Sequence, residues 1–275
     1  MIKLIASDLD GTLLQNGSHE LTPRTIRLIR DLTRRGIRFV AASGRQYDNE
    51  RRIFRELRDE ISYIAENGSL CIHRGEVICR GTIPDDLAAR IIREVRRESG
   101  FEIVVSKEDA CYIEGKNPDF VDLITKEFKN TTKVVDDISM VDGPILKIAI
   151  ANVGPQDFKT RLKHLQELFS GEIKVVTSGT VWIDFIVPGY NKGTALKRLL
   201  DLFGISREEC IAFGDQYNDV EMLELAGTSY VMENAAPGME KYGTHRTSSV
   251  EDILQELLDN MDNAEPDGAS TDQEG

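Results

Sequence analysis

The chain has 275 residues, with 34 Lys and Arg against 47 Asp and Glu, so its formal net charge is −13. Hydrophobic residues make up 40% and charged residues 29%, an ordinary globular composition that excludes a wholly disordered chain. No apolar run approaches the roughly 18–20 residues that span a bilayer, and a net acidic chain repels nucleic-acid phosphates, so we expect neither a membrane nor a nucleic acid as partner.

The N-terminal segment and the cysteines bear on the cellular compartment. Asp8 and Asp10 interrupt the first apolar run, which a secretory signal peptide would not allow. The four cysteines, at positions 71, 79, 111 and 210, form no CxxC pair and no dense framework, which favours a reducing environment. We therefore expect a cytoplasmic protein.

The first part of the chain alternates between predicted strands and helices. Residues 2–7 form a short apolar strand, and Thr22-Pro23 supplies a helix N-cap and a first-turn proline. Gly36 stands where a helix C-cap belongs. A strand over 37–44, a helix over 46–59 and a strand with its loop over 61–68 follow. This alternation predicts a parallel sheet with helices on its faces.

The same alternation returns near the C-terminus. We expect, in order, a helix over 191–204, a strand over 210–215, a helix over 218–227, a strand over 228–234 and a helix over 249–261. The last stretch, 262–275, has five acids and no base. We expect a disordered acidic tail there.

The middle of the chain has a different pattern, typical of a small α+β domain. Gly and Pro mark possible linkers near 81–84 and near 188–189. Between them we expect helices over 84–100, 117–129 and 155–170, strands over 101–105 and 145–151, and a hairpin of 172–177 with 181–187. The sequence thus predicts a discontinuous core domain, 1–82 with 189–261, and an inserted domain, 83–188.

Two carboxylates follow the first predicted strand, in Asp8-Leu9-Asp10-Gly11-Thr12. Ligands of open parallel sheets bind beyond the carboxyl ends of the strands, and alternation along the chain points Asp8 and Asp10 the same way. Two close carboxylates suit a hard cation such as Mg²⁺, and an Asp can also serve as a nucleophile. Taken alone, the pair fits a strand-end cap with a surface acid equally well.

A second polar segment, Gly214-Asp215-Gln216-Tyr217-Asn218-Asp219, also follows an apolar strand. Asp215 therefore offers a third metal-binding carboxylate at another strand end. Asn218 and Asp219 could begin the next helix and orient the groups that hold the metal. A helix cap alone would explain Asn218, but it would not explain the acids that surround it.

Two further positions suit phosphate binding. Ser43-Gly44-Arg45 ends the second strand, where a hydroxyl and backbone N–H groups could hold phosphate oxygens. Lys192 stands at a helix start, where a cation opposes the helix dipole unless an anion is bound. By themselves these residues fit a simple turn and a solvated lysine.

Taken together and in this order, the four segments resemble the motifs of the haloacid dehalogenase superfamily. They are Asp8-Leu9-Asp10-Gly11-Thr12, Ser43-Gly44-Arg45, Lys192-Gly193 and Gly214-Asp215 with Asn218-Asp219. The large insert, together with Glu66-Asn67-Gly68 and Asn234-Ala235, is similar to the Cof-like phosphatases of subclass IIB. The resemblance covers about residues 1–258. It implies an α/β fold with a Rossmann-like parallel-sheet core domain and an inserted α/β (α+β) cap domain.

The resemblance also implies a cofactor and residue roles. Asp8 would attack phosphorus to form an aspartyl phosphate, and Asp10 would protonate the leaving oxygen and then activate water. Mg²⁺ would be held by the Asp8 side chain, the Asp10 main-chain carbonyl and the Asp215 side chain. Binding of the phosphoryl group is expected from Leu9, Ser43, Gly44, Lys192 and Asn218, and supporting roles from Thr12, Arg45 and Asp219, with Asn218 also supporting the metal.

The implied activity is Mg²⁺-dependent hydrolysis of small phosphorylated metabolites, such as sugar phosphates or phosphorylated cofactors. A phosphosugar mutase of the same superfamily and a non-catalytic module for phosphorylated ligands stay open as alternatives. The intact set of Asp8, Asp10, Lys192 and Asp215 disfavours the module, because binding alone needs neither a nucleophile nor an acid. We expect a monomer or a weak homodimer.

Two residues of the insert are less informative. For Trp182 we expect packing on a strand face rather than contact with a substrate. The neighbouring Asp184 could line the cap or face water, and the sequence leaves both open.

Overall fold

Two β-sheets organise the fold in the computed structural model, which describes residues 1–154, 157–178 and 181–264. One sheet has the strand order β14-β13-β12-β1-β2-β3-β4-β5 and the other β10-β11-β9-β6-β7-β8. In chain order the strands are β1 Leu4–Ser7, β2 Arg38–Ala42, β3 Ser62–Ala65, β4 Leu70–His73, β5 Glu76–Arg80, β6 Phe101–Ser106, β7 Cys111–Glu114, β8 Thr132–Val135, β9 Lys147–Asn152, β10 Lys174–Ser178, β11 Trp182–Ile186, β12 Cys210–Gly214, β13 Thr228–Met232 and β14 His245–Thr247.

Helices cover these sheets. In chain order the α-helices are α1 Pro23–Arg34, α2 Tyr47–Ile53, α3 Asp85–Val95, α4 Pro118–Asp122, α5 Phe158–Leu168, α6 Lys192–Phe203, α7 Val220–Leu225 and α8 Val250–Ala264. A π-helical turn, Leu123–Glu127, continues α4, and short 3₁₀ turns include Glu66–Gly68 and Tyr217–Asp219. Across the described ranges, no helix combines the length and the apolar character that crossing a membrane requires.

The eight-stranded sheet places the sequence motifs at one edge. β1 pairs in parallel with both β2 and β12, and β3 extends the parallel part. Helices α1 and α8 pack on one face of this sheet through Leu28 and Leu254, and α6 and α7 pack on the other through Leu196 and Met222. Since parallel strands end at a common edge, the residues after β1, β2 and β12 meet there.

Helices α3 and α5 cover one face of the six-stranded sheet, and α4 with its π-helical turn packs on part of the other face through Phe120 and Ile124. Residues of α3 and α5, including Ile91 and Leu165, pack with Ile148 and Phe185 in an apolar core. The opposite face presents other side chains of β6, β9 and β11 to a cavity that also contacts the first sheet. The predicted α/β fold with an inserted α+β cap is confirmed, while the residue boundaries of the two domains stay a prediction.

Local capping explains several helix limits. The Thr22 side chain accepts a hydrogen bond from the Thr25 amide at the start of α1, ahead of the predicted proline. At the start of α6, Asn191 and Thr194 form a reciprocal capping box, and Gly204 ends the helix at φ 64°. The predicted helix over 191–204 is therefore confirmed almost residue for residue.

Other elements differ from the expectation. The helix predicted over 46–59 ends at Ile53, and the helix predicted from Pro84 to Gly100 ends at Val95, after which the chain continues in turns. The hairpin β4–β5, whose strands are short, was not predicted from the sequence. Helix α8 continues through Ala264, three residues into the predicted acidic tail. The rest of that tail, 265–275, lies outside the described residues.

Candidate active site

Asp8 and Lys192 are in direct contact beneath the edge of the parallel sheet. Asp8 follows β1 and is 5% exposed, and Lys192 opens α6 with no exposed surface. The Lys192 Nζ donates to Asp8 Oδ1 at 2.5 Å and to Asp219 Oδ1 at 2.5 Å. The other Asp8 oxygen, Oδ2, is buried and finds no hydrogen-bond partner in the part of the chain that the structure describes. One oxygen of Asp8 is thus held in place while the other is available.

The close approach of α6 to α7 brings Lys192 to this position. A Cβ at Gly193 would lie 2.4 Å from the Glu221 carbonyl oxygen, so a larger residue would push the two helices apart. The lysine is buried between two acids, because Asp8 and Asp219 supply the negative charge that its position requires.

Asp215 and Asp219 reach the same point from the end of β12. Asp215 Oδ1 accepts a hydrogen bond from Thr12 Oγ1 at 3.1 Å. Asp219 Oδ2 accepts from the backbone N–H groups of Asp215 and Gln216 at 2.9 and 3.0 Å. Carboxylate oxygens of Asp8, Asp215 and Asp219 lie within 4.8 Å of one another. Thr12 thus contacts this cluster and Asp219 forms part of it, and the supporting roles expected for both residues stay a prediction.

The electrostatics of the acid cluster are unfavourable to further negative charge. Burial and the nearby Asp219 raise the pKa of Asp8 well above its ordinary range, and Lys192 opposes that shift. Burial and Asp219 also raise the pKa of Asp215 to about 6. Burial alone would lower the pKa of Lys192, but attraction by Asp219 and Asp8 outweighs it and raises that pKa. An added cation would relieve this repulsion.

The cluster fits a divalent metal. The ligand atoms are hard carboxylate oxygens, which suit Mg²⁺, and Asp8 Oδ2 is a buried oxygen with no described partner. A Cβ at Gly11, whose φ is 85°, would lie 2.4 Å from Asp215 Oδ2, so only glycine leaves this oxygen its place. The side-chain cluster includes Asp219 and does not include Asp10. The predicted ligand at Asp10 was its main-chain carbonyl, and that role stays a prediction.

The Asp10 side chain is instead bound by Arg45. The guanidinium donates from Nε to Oδ2 at 2.7 Å and from Nη2 to Oδ1 at 2.6 Å, and Nη1 donates to Asn49 Oδ1 at 2.9 Å. The Asp10 side chain is 55% exposed, whereas that of Arg45 is 17% exposed. Asp10 and Asp8 line the same cavity, so the predicted acid and the predicted nucleophile face a common space.

Three of the five predicted phosphate-binding residues border that space. Ser43 is buried after β2, and its Oγ accepts a hydrogen bond from the Arg45 amide at 3.1 Å. Ser43, Gly44 and Asn218 line the cavity together with Asp8. The Leu9 side chain is fully buried in the core, so only its main chain can reach a ligand.

The cavity lies between the two sheets and measures about 420 Å³. The six-stranded sheet contributes both apolar and charged side chains to it, among them Trp182, Lys147 and Asp184. Phe128, from the segment after α4, lies beside Trp182 with ring centroids 6.1 Å apart. Trp182 thus packs as predicted and also borders the cavity, and Asp184, left open by the sequence, is buried there.

The sequence analysis did not identify Lys147 as part of the site, and it assigned no role to Glu66 or Asn67. Lys147 is 7% exposed, and its Nζ contacts Glu66 Oε2 at 2.6 Å and donates to the Gly44 carbonyl oxygen at 2.8 Å. The signal for it was a lysine at the head of the apolar strand KIAIAN. A charged residue at such a buried position requires a partner.

A family model described as haloacid dehalogenase-like hydrolase matches residues 5–256. The chain belongs to this family. The predicted enzyme class, a hydrolase of the phosphatase type, and the Cof-like subclass IIB are confirmed by the same comparison and by the relatives.

Several relatives of this haloacid dehalogenase-like hydrolase cover nearly its whole length. The 5-amino-6-(5-phospho-D-ribitylamino)uracil phosphatase YbjI of Escherichia coli is 30% identical, over 94% of this chain and 96% of its own. An HMP-PP phosphatase of Escherichia coli is 29% identical, over 94% and 97%. The crystal structure of the subclass IIB sugar phosphatase BT4131 shares the fold, with a TM-score of 0.79, 20% identity and coverage of 93% and 99%.

Proposed function

We propose that this hydrolase is a Mg²⁺-dependent phosphomonoesterase for small phosphorylated metabolites, with Asp8 as the residue that becomes phosphorylated. One observation carries the proposal: Lys192 holds one oxygen of the buried Asp8, whose second oxygen has no described partner, beside two further acids. A nucleophile needs a fixed orientation and an available lone pair. A metal-binding module would not need the lysine between its acids.

The residues divide the reaction into two transfers. Asp8 attacks phosphorus, so that an Asp8–phosphorus bond forms while the bond from phosphorus to the leaving oxygen breaks, and Asp10 gives that oxygen its proton. Asp10 then takes a proton from a water molecule, whose oxygen displaces Asp8 and releases inorganic phosphate. Asp8 and Asp10 line one cavity, which supports this division of roles.

Charge stabilisation comes from groups already in place. Lys192 carries a positive charge beside Asp8, and Ser43 and Gly44 line the same cavity as Asp8, so the Ser43 hydroxyl and the Gly44 backbone would donate hydrogen bonds to the phosphoryl oxygens. Asp8, Asp215 and Asp219, with the Asp10 carbonyl, would hold Mg²⁺, which when bound supplies electrophilic neutralisation of the phosphoryl charge. Because these groups are buried, little reorganisation accompanies the transfer.

The cavity supports a leaving group with a flat or ring-bearing part and polar substituents. Trp182 and Phe128 offer aromatic surface, and Lys147, Asp184 and Asn130 offer charged or polar atoms. The relative YbjI is named for a substrate with a uracil ring and a ribityl chain, which has this combination. We therefore propose ring-bearing phosphorylated metabolites ahead of simple sugar phosphates. The volume of about 420 Å³ suits such a molecule rather than a phosphoprotein.

Hydrolysis of p-nitrophenyl phosphate with Mg²⁺, with EDTA, and by the Asp8→Asn variant tests the proposal. We expect Mg²⁺-dependent release of inorganic phosphate, none of it from Asp8→Asn, and ³²P label on Asp8 after acid quenching. Metal-independent turnover, or label on another residue, would overturn the mechanism. A panel of phosphorylated metabolites, compared by kcat/KM, then ranks ring-bearing substrates against sugar phosphates. Transfer to a sugar instead of water would favour the mutase.

A further inference from the structure

The turn after β3 has an unusual backbone. Glu66, Asn67 and Gly68 have φ angles of 51°, 58° and 97° in succession. Non-glycine residues rarely adopt this left-handed region, and such conformations persist only where the surroundings enforce them. Glu66 and Asn67 are also buried, at 2% and 3% exposure. The turn is therefore held by its contacts rather than by its own preference.

These contacts join the turn to three neighbouring segments, which are the loop after β2, the loop after β12 and the residue that precedes Lys192. The amides of Glu66 and Asn67 donate to the carbonyl oxygens of Arg45 and Ser43, at 3.0 and 2.9 Å. Asn67 Oδ1 accepts from Asn218 Nδ2 at 2.9 Å, in the loop that carries Asp215. A Cβ at Gly68 would lie 2.3 Å from the backbone of Asn191, the residue before Lys192. A shift of this turn would therefore move groups in each of these segments.

Two residues of opposite charge in the six-stranded sheet, Lys147 and Asp184, contact the same turn. Lys147, the first residue of β9, pairs with Glu66 at 2.6 Å and reaches the Gly44 carbonyl oxygen at 2.8 Å. Asn67 Nδ2 donates to Asp184 Oδ2 of β11 at 3.1 Å. Burial alone would lower the pKa of Lys147, but the nearby Glu66 and Asp184 raise it, so the ammonium stays charged. The cap thus reaches the phosphate-binding loop through a buried ion pair.

We propose that Lys147 and Glu66 are positioning residues: their ion pair fixes the Glu66–Asn67 turn, and through it the Ser43–Gly44 loop that binds the phosphoryl group. This inference rests on the proposed function, because it assigns a phosphoryl group to that loop. The phosphate site would then be complete only when the six-stranded sheet of the cap packs against the core domain. Phosphate binding and recognition of the leaving group are then linked through one contact.

The inhibition constant of inorganic phosphate, measured against p-nitrophenyl phosphate with Mg²⁺, tests the positioning role because phosphate has no leaving group. We expect Lys147→Met and Glu66→Gln each to weaken phosphate binding about tenfold to a hundredfold, as misplacement of a binding loop would. Of the two variants, Glu66→Gln distinguishes better between positioning and simple electrostatics. Removing a negative charge should strengthen anion binding by simple electrostatics, whereas loss of positioning should weaken it.

Three further variants separate positioning from other roles. Lys147→Arg should restore much of the binding, since it keeps the charge and the donors. The double variant Lys147→Met/Glu66→Gln, which removes both charges of the ion pair, should bind no more weakly than the weaker single variant. Lys174→Met removes a solvent-exposed cap–core ion pair with Glu221, 2.8 Å long, that does not contact the turn, and it should leave phosphate binding unchanged.

A readout that needs no catalysis completes the test. Hydrogen exchange of the Glu66 and Asn67 amides should accelerate in Lys147→Met and in Glu66→Gln, and it should not change in Lys174→Met. Unchanged exchange with an unchanged or lower phosphate inhibition constant in Glu66→Gln would overturn the inference. An effect of Lys147→Met on the KM of bulky substrates alone would instead make Lys147 a substrate contact. If the wild-type protein hydrolyses no phosphomonoester, the proposed function fails, and the exchange result still judges the ion pair.

Discussion

Arg45 binds both carboxylate oxygens of Asp10, from Nε at 2.7 Å and from Nη2 at 2.6 Å. Each oxygen still has a second lone pair, so the guanidinium orients the Asp10 carboxylate at the cavity without occupying every acceptor site.

Replacing Asp10 with Asn should lower kcat about 10²- to 10⁴-fold, because both the proton donor and the later base are lost. With p-nitrophenyl phosphate, whose leaving group needs little protonation, the first transfer should survive, and the phosphorylated enzyme should accumulate. Stopped-flow measurement should then show a burst of p-nitrophenolate close to one equivalent. Steady-state turnover at the wild-type rate would contradict the role of Asp10.

A double variant defines the part played by Arg45. If Arg45 acts only through Asp10, Asp10→Asn/Arg45→Met should turn over no more slowly than Asp10→Asn alone. A further loss in the double variant would show that the guanidinium also contacts the substrate.

Lys192→Met should destabilise the protein and abolish most activity. The lysine is fully buried between Asp8 and Asp219, and removal of one partner from a buried ion pair costs about 3–5 kcal/mol. Urea denaturation in the absence of metal should show this loss, and added Mg²⁺ should recover part of it by neutralising the remaining acids. Exposed Lys197, which pairs with Asp201 on the same helix, gives the matched control: Lys197→Met should change stability by less than 1 kcal/mol.

The positions of the catalytic-edge residues could be predicted because they depend on strand ends. Asp8, Ser43 and Asp215 each follow a parallel strand, and the edge of the sheet brings them together whatever the rest of the chain does. The partner of Asp10 could not be predicted in this way. The Arg45 side chain is long enough to pair with any of several acids, and tertiary packing determines that it pairs with Asp10.

The contact between the cap and the turn after β3 could not be predicted from the sequence for a different reason. Lys147 is 81 residues from Glu66 in the sequence, and the ion pair exists only because one sheet packs over the edge of the other. Strand alternation places Trp182 and Asp184 on one face of β11, but it does not say what that face covers. Likewise, Asn67-Gly68 is a typical turn dipeptide, but no sequence signal indicates the left-handed φ angle of Glu66.

Asp215→Asn should separate stability from metal binding. In the metal-free protein this acid is crowded by Asp219 and buried, which raises its pKa to about 6. The neutral amide removes that repulsion, so the metal-free variant should melt at a higher temperature than the metal-free wild type at pH 8. The wild type should gain stability from Mg²⁺ by ligand binding, and the variant should lose that gain together with most activity. A variant that keeps the full Mg²⁺-dependent shift in Tm would remove Asp215 from the metal site.

The difference in stability between metal-free Asp215→Asn and the metal-free wild type should depend on pH. A carboxyl group whose pKa is raised in the folded state binds its proton more tightly when folded, so its contribution to stability grows as the pH falls. The stability advantage of metal-free Asp215→Asn over metal-free wild type should therefore shrink between about pH 7 and about pH 4. Urea midpoints at several pH values in EDTA would show it, and an advantage that grows at low pH would contradict the assignment.

Trp182 should discriminate between classes of leaving group. Its ring borders the cavity beside Phe128, and aromatic pairing contributes about 0.5–1.5 kcal/mol beyond burial of surface. Trp182→Leu keeps an apolar side chain on β11 but removes the flat surface. We expect kcat/KM to fall about three- to tenfold for a ring-bearing substrate such as flavin mononucleotide, with little change for ribose 5-phosphate. Equal losses of kcat/KM for both substrates would show that Trp182 supports the sheet and does not recognise the leaving group. A preference for ring-bearing substrates would then have to come from other residues of the cavity.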